Sequence, residues 1–388
     1  MKGLRRLGRV LGLTPSLILL SLLLLGGACA VVPTTPPPIS PTAPLTVSPT
    51  LAPTATPTAH PLAVPSPTVP PSPPPPLSSP SPLPPPSAFA FAVTADMRQY
   101  AGPGLYDSVH YFRGACEAIA ALGDVAFMVS PGDIDPPLGV QWTLSQTFGA
   151  DFPWYPGVGN HETETPDDVA WLQAYDYGPV NPGPSGCPTT TYSFDYGVAH
   201  LVMLNVYCDA GGPTETDGKI SDHLYEWLAA DLQATDRPYV FVFGHEPAFP
   251  QPDAETGRER HIGDSLDAHP ASRDRFWDLL AAHGVVAYIC GHTHNYSAVR
   301  IDGVWQLDAG HARGKGDRGA PSTFLVIRVE KDAVILETYR DDAAGGPYTL
   351  VETLPLVGRA TVCRPVVAHL PLNKQPAASD GRQVASNQ

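Results

Sequence analysis

Five places along the 388-residue chain put an acid, an amide or an imidazole directly after a short apolar run. Phe91-Ala92-Val93-Thr94-Ala95 leads to Asp96, and Ala126-Phe127-Met128-Val129-Ser130-Pro131 leads to Gly132-Asp133. Trp154-Tyr155-Pro156-Gly157-Val158 leads to Gly159-Asn160-His161-Glu162. Val240-Phe241-Val242-Phe243 leads to Gly244-His245-Glu246, and Ala287-Tyr288-Ile289-Cys290 to Gly291-His292-Thr293-His294. Oxygen and imidazole donors without cysteine suit Mn, Fe or Zn, singly or in pairs. Taken singly, the residues carry little. An Asp after a strand ordinarily turns or caps the chain, Gly-Asn is a turn former, and a lone His245 is ordinarily structural. Their joint occurrence points to metal chemistry.

The apolar runs are the elements that must position these groups. Ala88–Ala95, Val125–Val129, Tyr155–Val158, Tyr239–Phe243 and Val285–Cys290 are short, continuous and apolar, as buried strands are. Helices are expected between them, over Ser108–Leu122, from Pro166 through Tyr175, over Ser221–Ala234 and from Ser272 to His283. Strands are expected later at Tyr296–Ile301, Val304–Leu307, Thr323–Val329, Val334–Tyr339 and Tyr348–Leu354, with turns at Asp302-Gly303 and Lys331-Asp332. Alternation of this kind gives an α/β class, in which functional loops lie at the carboxyl ends of strands.

The ordered set, with Gly-Asn-His-Glu and Gly-His-x-His as its most specific members, resembles the calcineurin-like metallophosphoesterases, the superfamily that includes purple acid phosphatases. The resemblance spans about residues 89–310. It implies a two-sheet β-sandwich flanked by helices, with two divalent or trivalent metal ions at one edge. It implies that Asp96 and His294 bind the first metal, that Asn160, His245 and His292 bind the second, and that Asp133 bridges both. His161 is implied as the histidine that assists the leaving group, and with Asp133 it forms the catalytic pair. The activity implied is hydrolysis of a small phosphoester by metal-bound hydroxide. Alternatives are a phosphodiesterase instead of a monoesterase, or a cell-surface binding module with an impaired metal site.

One position departs from the resemblance. The first motif is usually Asp-x-His, but here it reads Asp96-Met97-Arg98. The tyrosine that purple acid phosphatases place in Gly-Asp-x-x-Tyr is also absent from Gly132-Asp133-Ile134-Asp135-Pro136. Three readings remain open: Tyr100, Asp135 or His311 fills the gap; water or substrate fills it; or the first site is incomplete and one metal binds. Arg98 has the planar fork that binds phosphate. His311, in Gly310-His311-Ala312-Arg313, either faces the cleft or lies in an ordinary loop. Glu162 and Glu246 are read as partners orienting histidines. Residues 246–272, with Arg258, Arg260 and His261, form a long polar loop that either covers the substrate or runs over the surface.

Composition bounds the rest. Of 47 prolines, 23 lie between Pro33 and Pro86, and no charged residue occurs from Val31 to Ala95. Residues 30–87 therefore read as a disordered Pro/Thr/Ser-rich linker preceding a domain over 88–356, with an extension and polar tail over 357–388. Residues 1–29 read as an export signal, with Lys2, Arg5, Arg6 and Arg9 before the apolar stretch Leu17–Leu25. Gly27-Ala28-Cys29 resembles a lipobox, which would lipidate Cys29, and this reading is preferred; the alternatives are ordinary cleavage at Ala28-Cys29-Ala30, which would secrete the chain, and a retained membrane anchor. Membrane contact is expected only through such an anchor, on an exported chain. The formal net charge is −15, and beyond residue 29 the chain holds 19 basic and 38 acidic residues. Such a surface argues against nucleic-acid binding. Export implies an oxidising compartment. A turn at Gly197-Val198 pairs positions whose numbers sum to 395, which sets Cys187 opposite Cys208 within disulfide reach. Cys290 is expected as a buried thiol.

Overall fold

The structure, a computed structural model, describes residues 88–209, 212–213 and 217–358. All of them fall within the unit Ser79–Gln388. The expected signal over 1–29, Cys29, the linker 30–87, Cys363 and the tail beyond 358 lie outside the described residues. Among the described residues no helix is long and apolar enough to cross a membrane.

The strands are β1 (Phe89–Val93), β2 (Val125–Ser130), β3 (Trp154–Pro156), β4 (Asn181–Pro182), β5 (Tyr192–Tyr196), β6 (Ala199–Met203), β7 (Cys208–Asp209), β8 (Gly212–Pro213), β9 (Tyr239–Phe243), β10 (Ala287–Cys290), β11 (Tyr296–Ile301), β12 (Val304–Ala309), β13 (Thr323–Val329), β14 (Val334–Arg340) and β15 (Thr349–Val357). The helices are α1 (Phe112–Leu122), α2 (Pro137–Phe148), α3 (Asn160–Thr163), α4 (Pro166–Ala174), α5 (Asp222–Ala234) and α6 (Pro270–Ala282). One sheet has the order β15-β14-β13-β1-β2-β3 and the other β11-β12-β10-β9-β6-β5-β4. Within the first, β1, β2 and β3 run parallel. Within the second, β6, β9, β10 and β12 do.

The two sheets face each other through Phe91, Val93, Phe127 and Val129 on one side and Leu201, Phe241, Phe243 and Ile289 on the other. Phe91 stacks on Phe127 at 5.2 Å and meets the Phe241 ring edge-on at 5.4 Å. The alternate residues Ala90, Ala92 and Met128 turn outward and pack with the apolar side chains of the flanking helices. Burial on both faces is why β1 and β2 read as continuous apolar runs instead of alternating. The expected α/β two-sheet sandwich flanked by helices is the fold observed.

The β5–β6 hairpin pairs Tyr192 with Met203 through Tyr196 with Ala199, the 395 register. Beyond its open end Cys187 and Cys208 form a disulfide with Cα atoms 6.2 Å apart. Cys116 and Cys290 are buried free thiols. The sequence reading missed α2. Its first turn, Pro137-Leu138-Gly139, contains the residues that normally break helices, yet Pro at the first position costs no hydrogen bond. The helix expected from Ser108 begins at Phe112.

Candidate metal centre

The carboxyl ends of β1, β2, β9 and β10 converge, so two sheets deliver ligands to one place. Asp96, Asp133 and His294 each bring a ligand atom within 4.8 Å of the others, and all three are buried. His294 Nε2 lies 3.5 Å from Asp96 Oδ1, and His245 Nε2 lies 3.3 Å from Asp133 Oδ1.

The three imidazoles share one arrangement. His245 donates Nδ1–H to the Pro131 carbonyl at 3.1 Å, and His292 donates Nε2–H to the Asp264 carbonyl at 3.1 Å. A carbonyl only accepts, so these tautomers follow from the partners. His294 Nδ1 pairs with Asp317 Oδ2 at 2.8 Å. In each ring the opposite nitrogen keeps its lone pair, as metal-binding histidines held by outer partners do. Burial keeps the rings neutral. It pushes His245 and His292 down to about 3 and His294 well below its ordinary value. Burial would raise Asp317, but His294, the Gly319 amide and Arg258 hold it below the usual carboxylate range.

Whether these residues fit a cation is tested by their unpartnered atoms. Asp96 Oδ1, Asn160 Oδ1 and His245 Nε2 are buried with no hydrogen-bond partner. Orphaned buried acceptors are rare and costly. These three are lone-pair donors facing other lone pairs, and a positive ion satisfies all of them at once. The donor set fits a metal.

The backbone is shaped for the same end. Asp96 (φ 53°), Asp133 (φ 52°), His292 (φ 71°) and His294 (φ 58°) all sit in the left-handed region. Non-glycine residues there carry strain of about 1–3 kcal/mol each, which the surroundings must offset. Two glycines permit the close approach. A Cβ on Gly159 would lie 2.3 Å from Asp133 Oδ1, and one on Gly291 would lie 2.3 Å from Asp96 Oδ2. Asp96 Oδ2 also accepts from the His292 amide at 2.9 Å, tying the first sheet to the second.

Glu162 does not orient a histidine, as the sequence reading expected. Its carboxylate accepts from the amides of Gly159 (2.6 Å), Ile134 (2.7 Å) and Asp133 (2.9 Å), and so clamps the loop that carries Asp133. Glu246 likewise faces no histidine. It accepts from Tyr207 Oη at 2.9 Å and the Gly218 amide at 3.1 Å, and burial pushes it up to about 8.

His161 and Arg98 meet at the rim. Arg98 Nη1 lies 2.8 Å from His161 Nε2, while its Nε donates to Asp135 Oδ2 at 3.0 Å. His161 Nδ1 pairs with Glu164 Oε2 at 2.9 Å, and His161 Nε2 is 3.7 Å from Asp133 Oδ2. Arginine has no acceptor, so His161 Nε2 accepts from Arg98 and its proton sits on Nδ1, toward Glu164. Of the three residues read as filling the place of the missing first-motif histidine, His311 is engaged elsewhere, whereas Asp135 keeps Oδ1 buried and without a hydrogen-bond partner. Tyr100 packs in an aromatic cluster with Tyr106 and Tyr111. Asp135 holds Arg98. His311 uses both ring nitrogens, Nε2 donating to the Ala320 carbonyl at 3.1 Å and Nδ1 accepting the Arg313 amide at 3.2 Å.

Sequence reasoning named the Gly310–Arg313 segment but not the role of Arg313, and it missed Asp317, Glu164 and the Asp264 carbonyl, which come from turns and loops between the elements. Arg313 donates to the Asp96 carbonyl at 2.6 Å. The long polar loop is fastened to the centre: Arg258 donates to the His294 carbonyl and to Asn295 Oδ1, each at 2.8 Å.

Comparison with known proteins gives a family match. A family model described as calcineurin-like phosphoesterase matches residues 89–296. Acid phosphatase of Aspergillus ficuum is 28% identical over 161 residues, covering 32% of this chain and 24% of that protein. Tartrate-resistant acid phosphatase type 5 of Rattus norvegicus is 32% identical over 127 residues, covering 32% of this chain and 34% of that protein. The structure of PhoD superposes with a TM-score of 0.49 at 13% identity, covering 70% of each chain. The chain thus spans about a quarter to a third of the length of these curated relatives.

Proposed function

The chain belongs to the calcineurin-like phosphoesterase family, and on that premise we propose that it hydrolyses a small phosphoester with two bound metal ions. The observation that carries the reading is the set of buried, unpartnered donor atoms on Asp96, Asn160 and His245 beside three neutral imidazoles. Asp96 and His294 would hold the first ion, Asn160, His245 and His292 the second, and Asp133 both. Bound there, Mn, Fe or Zn supplies neutralisation of phosphoryl oxygens and acidification of a water.

The chain's own groups do the remainder. Arg98, anchored at Nε by Asp135, offers its Nη atoms to a phosphate oxygen. Once phosphate draws the guanidinium away, His161 Nε2 is free to hold a proton for the departing alcohol, and Glu164 at Nδ1 keeps the ring in place. A cationic fork suits the two charges of a monoester more than the single charge of a diester, which favours monoester hydrolysis.

A second reading has one observation in its favour. With Arg98 in the first motif, the first ion would draw on Asp96, Asp133 and His294 among the described residues, one imidazole fewer than the usual motif supplies, as an impaired centre in a binding module would. The basic-then-apolar N-terminus and Gly27-Ala28-Cys29 support export with a lipid anchor at Cys29.

The test is metal content of the chain purified without chelator, with turnover of phenyl phosphate and diphenyl phosphate. Two metals and turnover, both lost in a folded Asp133→Asn variant, uphold the hydrolytic reading. One metal or none, with no turnover after Mn, Fe or Zn is added, favours the binding module.

A further inference from the structure

We propose that the cavity along α2 receives the apolar alcohol portion of the ester, an aryl or alkyl group, and so sets the substrate class. This rests on the hydrolytic reading above. The cavity measures about 660 Å³, a size typical of small-molecule sites. Its walls are α2, the loop after β1, the segment entering β3 and Tyr175 after α4. Trp142, Phe152, Trp154 and Tyr175 contribute rings, and no charged residue lines it. A sugar or other polyol would find few partners. The polar side-chain groups of the lining are those of Gln141, Ser145 and Tyr175 and the indole N–H groups of Trp142 and Trp154, and two are already used: the Ser145 hydroxyl donates to the Trp142 carbonyl at 2.7 Å and the Trp154 indole to Ser130 Oγ at 2.9 Å.

The cavity borders the two loops that carry residues of the proposed reaction centre. The loops after β1 and β2 are joined by Arg98 N to the Asp133 carbonyl at 2.9 Å and Gln99 N to the Asp135 carbonyl at 2.8 Å. Gly102 N then anchors the first loop on α2 through Thr143 Oγ1 at 2.8 Å. These joined loops present Arg98 to His161, the group placed at the departing oxygen. The residues that follow, Ala101 and Pro136, line the cavity. An ester whose phosphorus lies at the metal centre and whose departing oxygen lies at His161 has its carbon group beside this wall. Leu138, 62% exposed in the first turn of α2, gives the entrance an apolar lip.

The experiment compares phenyl phosphate with 4-butylphenyl phosphate, whose leaving groups have similar acidity, and measures binding of 4-butylphenol by calorimetry to full-length protein held in chelator. Each buried methylene contributes about a fourfold preference, so partial burial of the butyl chain raises kcat/KM about tenfold or more. Ser145→Phe, which fills the cavity, and Trp142→Ala, which removes a wall, both abolish that ratio and the butylphenol binding, in protein whose circular dichroism and metal content per chain match wild type. Equal kcat/KM for the two esters, with no butylphenol binding, overturns the inference and leaves the hydrolytic reading standing. Butylphenol binding with turnover of neither ester overturns the hydrolytic reading, and the substrate assignment falls with it. A dimer that Leu138→Ser dissociates, in protein that binds no butylphenol, assigns the lip to self-association and overturns it too.

Discussion

Glu162→Gln isolates the clamp beneath the metal centre. Glu162 Oε2 accepts from Gly159 N and Asp133 N, and Oε1 accepts from Ile134 N. Glutamine preserves the shape but converts one of these acceptors into an NH₂ donor. Its better orientation keeps two amides bonded and sets donor against donor at Ile134. A buried donor left without an acceptor costs about 1–3 kcal/mol. In a domain of this size that lowers Tm by roughly 2–12 °C. Glu162→Ala strips all three amides, about 3–9 kcal/mol before relaxation, a large part of a typical total stability. The same clamp aims Asp133, so metal affinity falls about 10–100-fold in the glutamine variant, as loss of an outer partner generally causes. Thermal unfolding in chelator reads the stability alone, and metal titration reads the affinity alone. A glutamine variant that melts within about one degree of wild type in chelator, with unchanged metal affinity, refutes the reasoning.

Gly159→Ala places a Cβ 2.3 Å from Asp133 Oδ1 and 2.4 Å from Asp133 N, so the bridging carboxylate must move; mass spectrometry should find less metal per chain, and an unchanged content contradicts the close approach. Replacing Cys187 and Cys208 by Ser opens a crosslink spanning 21 residues and should cost about 3 kcal/mol in urea unfolding; a loss below about 1 kcal/mol contradicts it. His200 is part-buried, which lowers its affinity for a proton, but its bonds to Asp231 and Asp195 more than reverse this and raise it above 6.5. Its contribution to stability is therefore complete below pH 6.5 and lost as pH rises through the higher folded value. The melting difference between wild type and His200→Gln should shrink as pH rises above 6.5, and a difference that grows with pH refutes this.

The strands that carry ligands were legible because their two-sided burial leaves continuous apolar runs, each closed by a polar residue and, in all but the first, by a glycine before it. The hairpin register was legible because a two-residue turn at Gly197-Val198 leaves one pairing, which the ladder shows. The helix α2 was hidden by the Pro and Gly of its first turn and by its short, interrupted apolar stripe. The groups that fix the histidines were hidden for another reason. Asp317 and the Asp264 carbonyl reach the centre through tertiary packing of loops, and no local period marks such residues. The role of Glu162 was misread because its partners are amides 28 and 29 positions earlier in the chain, as well as its neighbour Gly159.

The bond from Asp96 to the His292 amide joins residues 196 positions apart, and Asp317, which steadies His294, comes later still. Synthesis adds residues at about 5–20 per second, so roughly ten to forty seconds separate the emergence of Asp96 from that of Asp317. For part of that interval, after Asn160 emerges and before His245 does, the nascent chain holds half of the proposed ion trap. Asp96, Asp133 and Asn160 are present, but the histidines that close the site are not. Metal capture by the proposed centre would thus be a late event in the life of the chain, following the union of both sheets in whichever compartment that docking takes place.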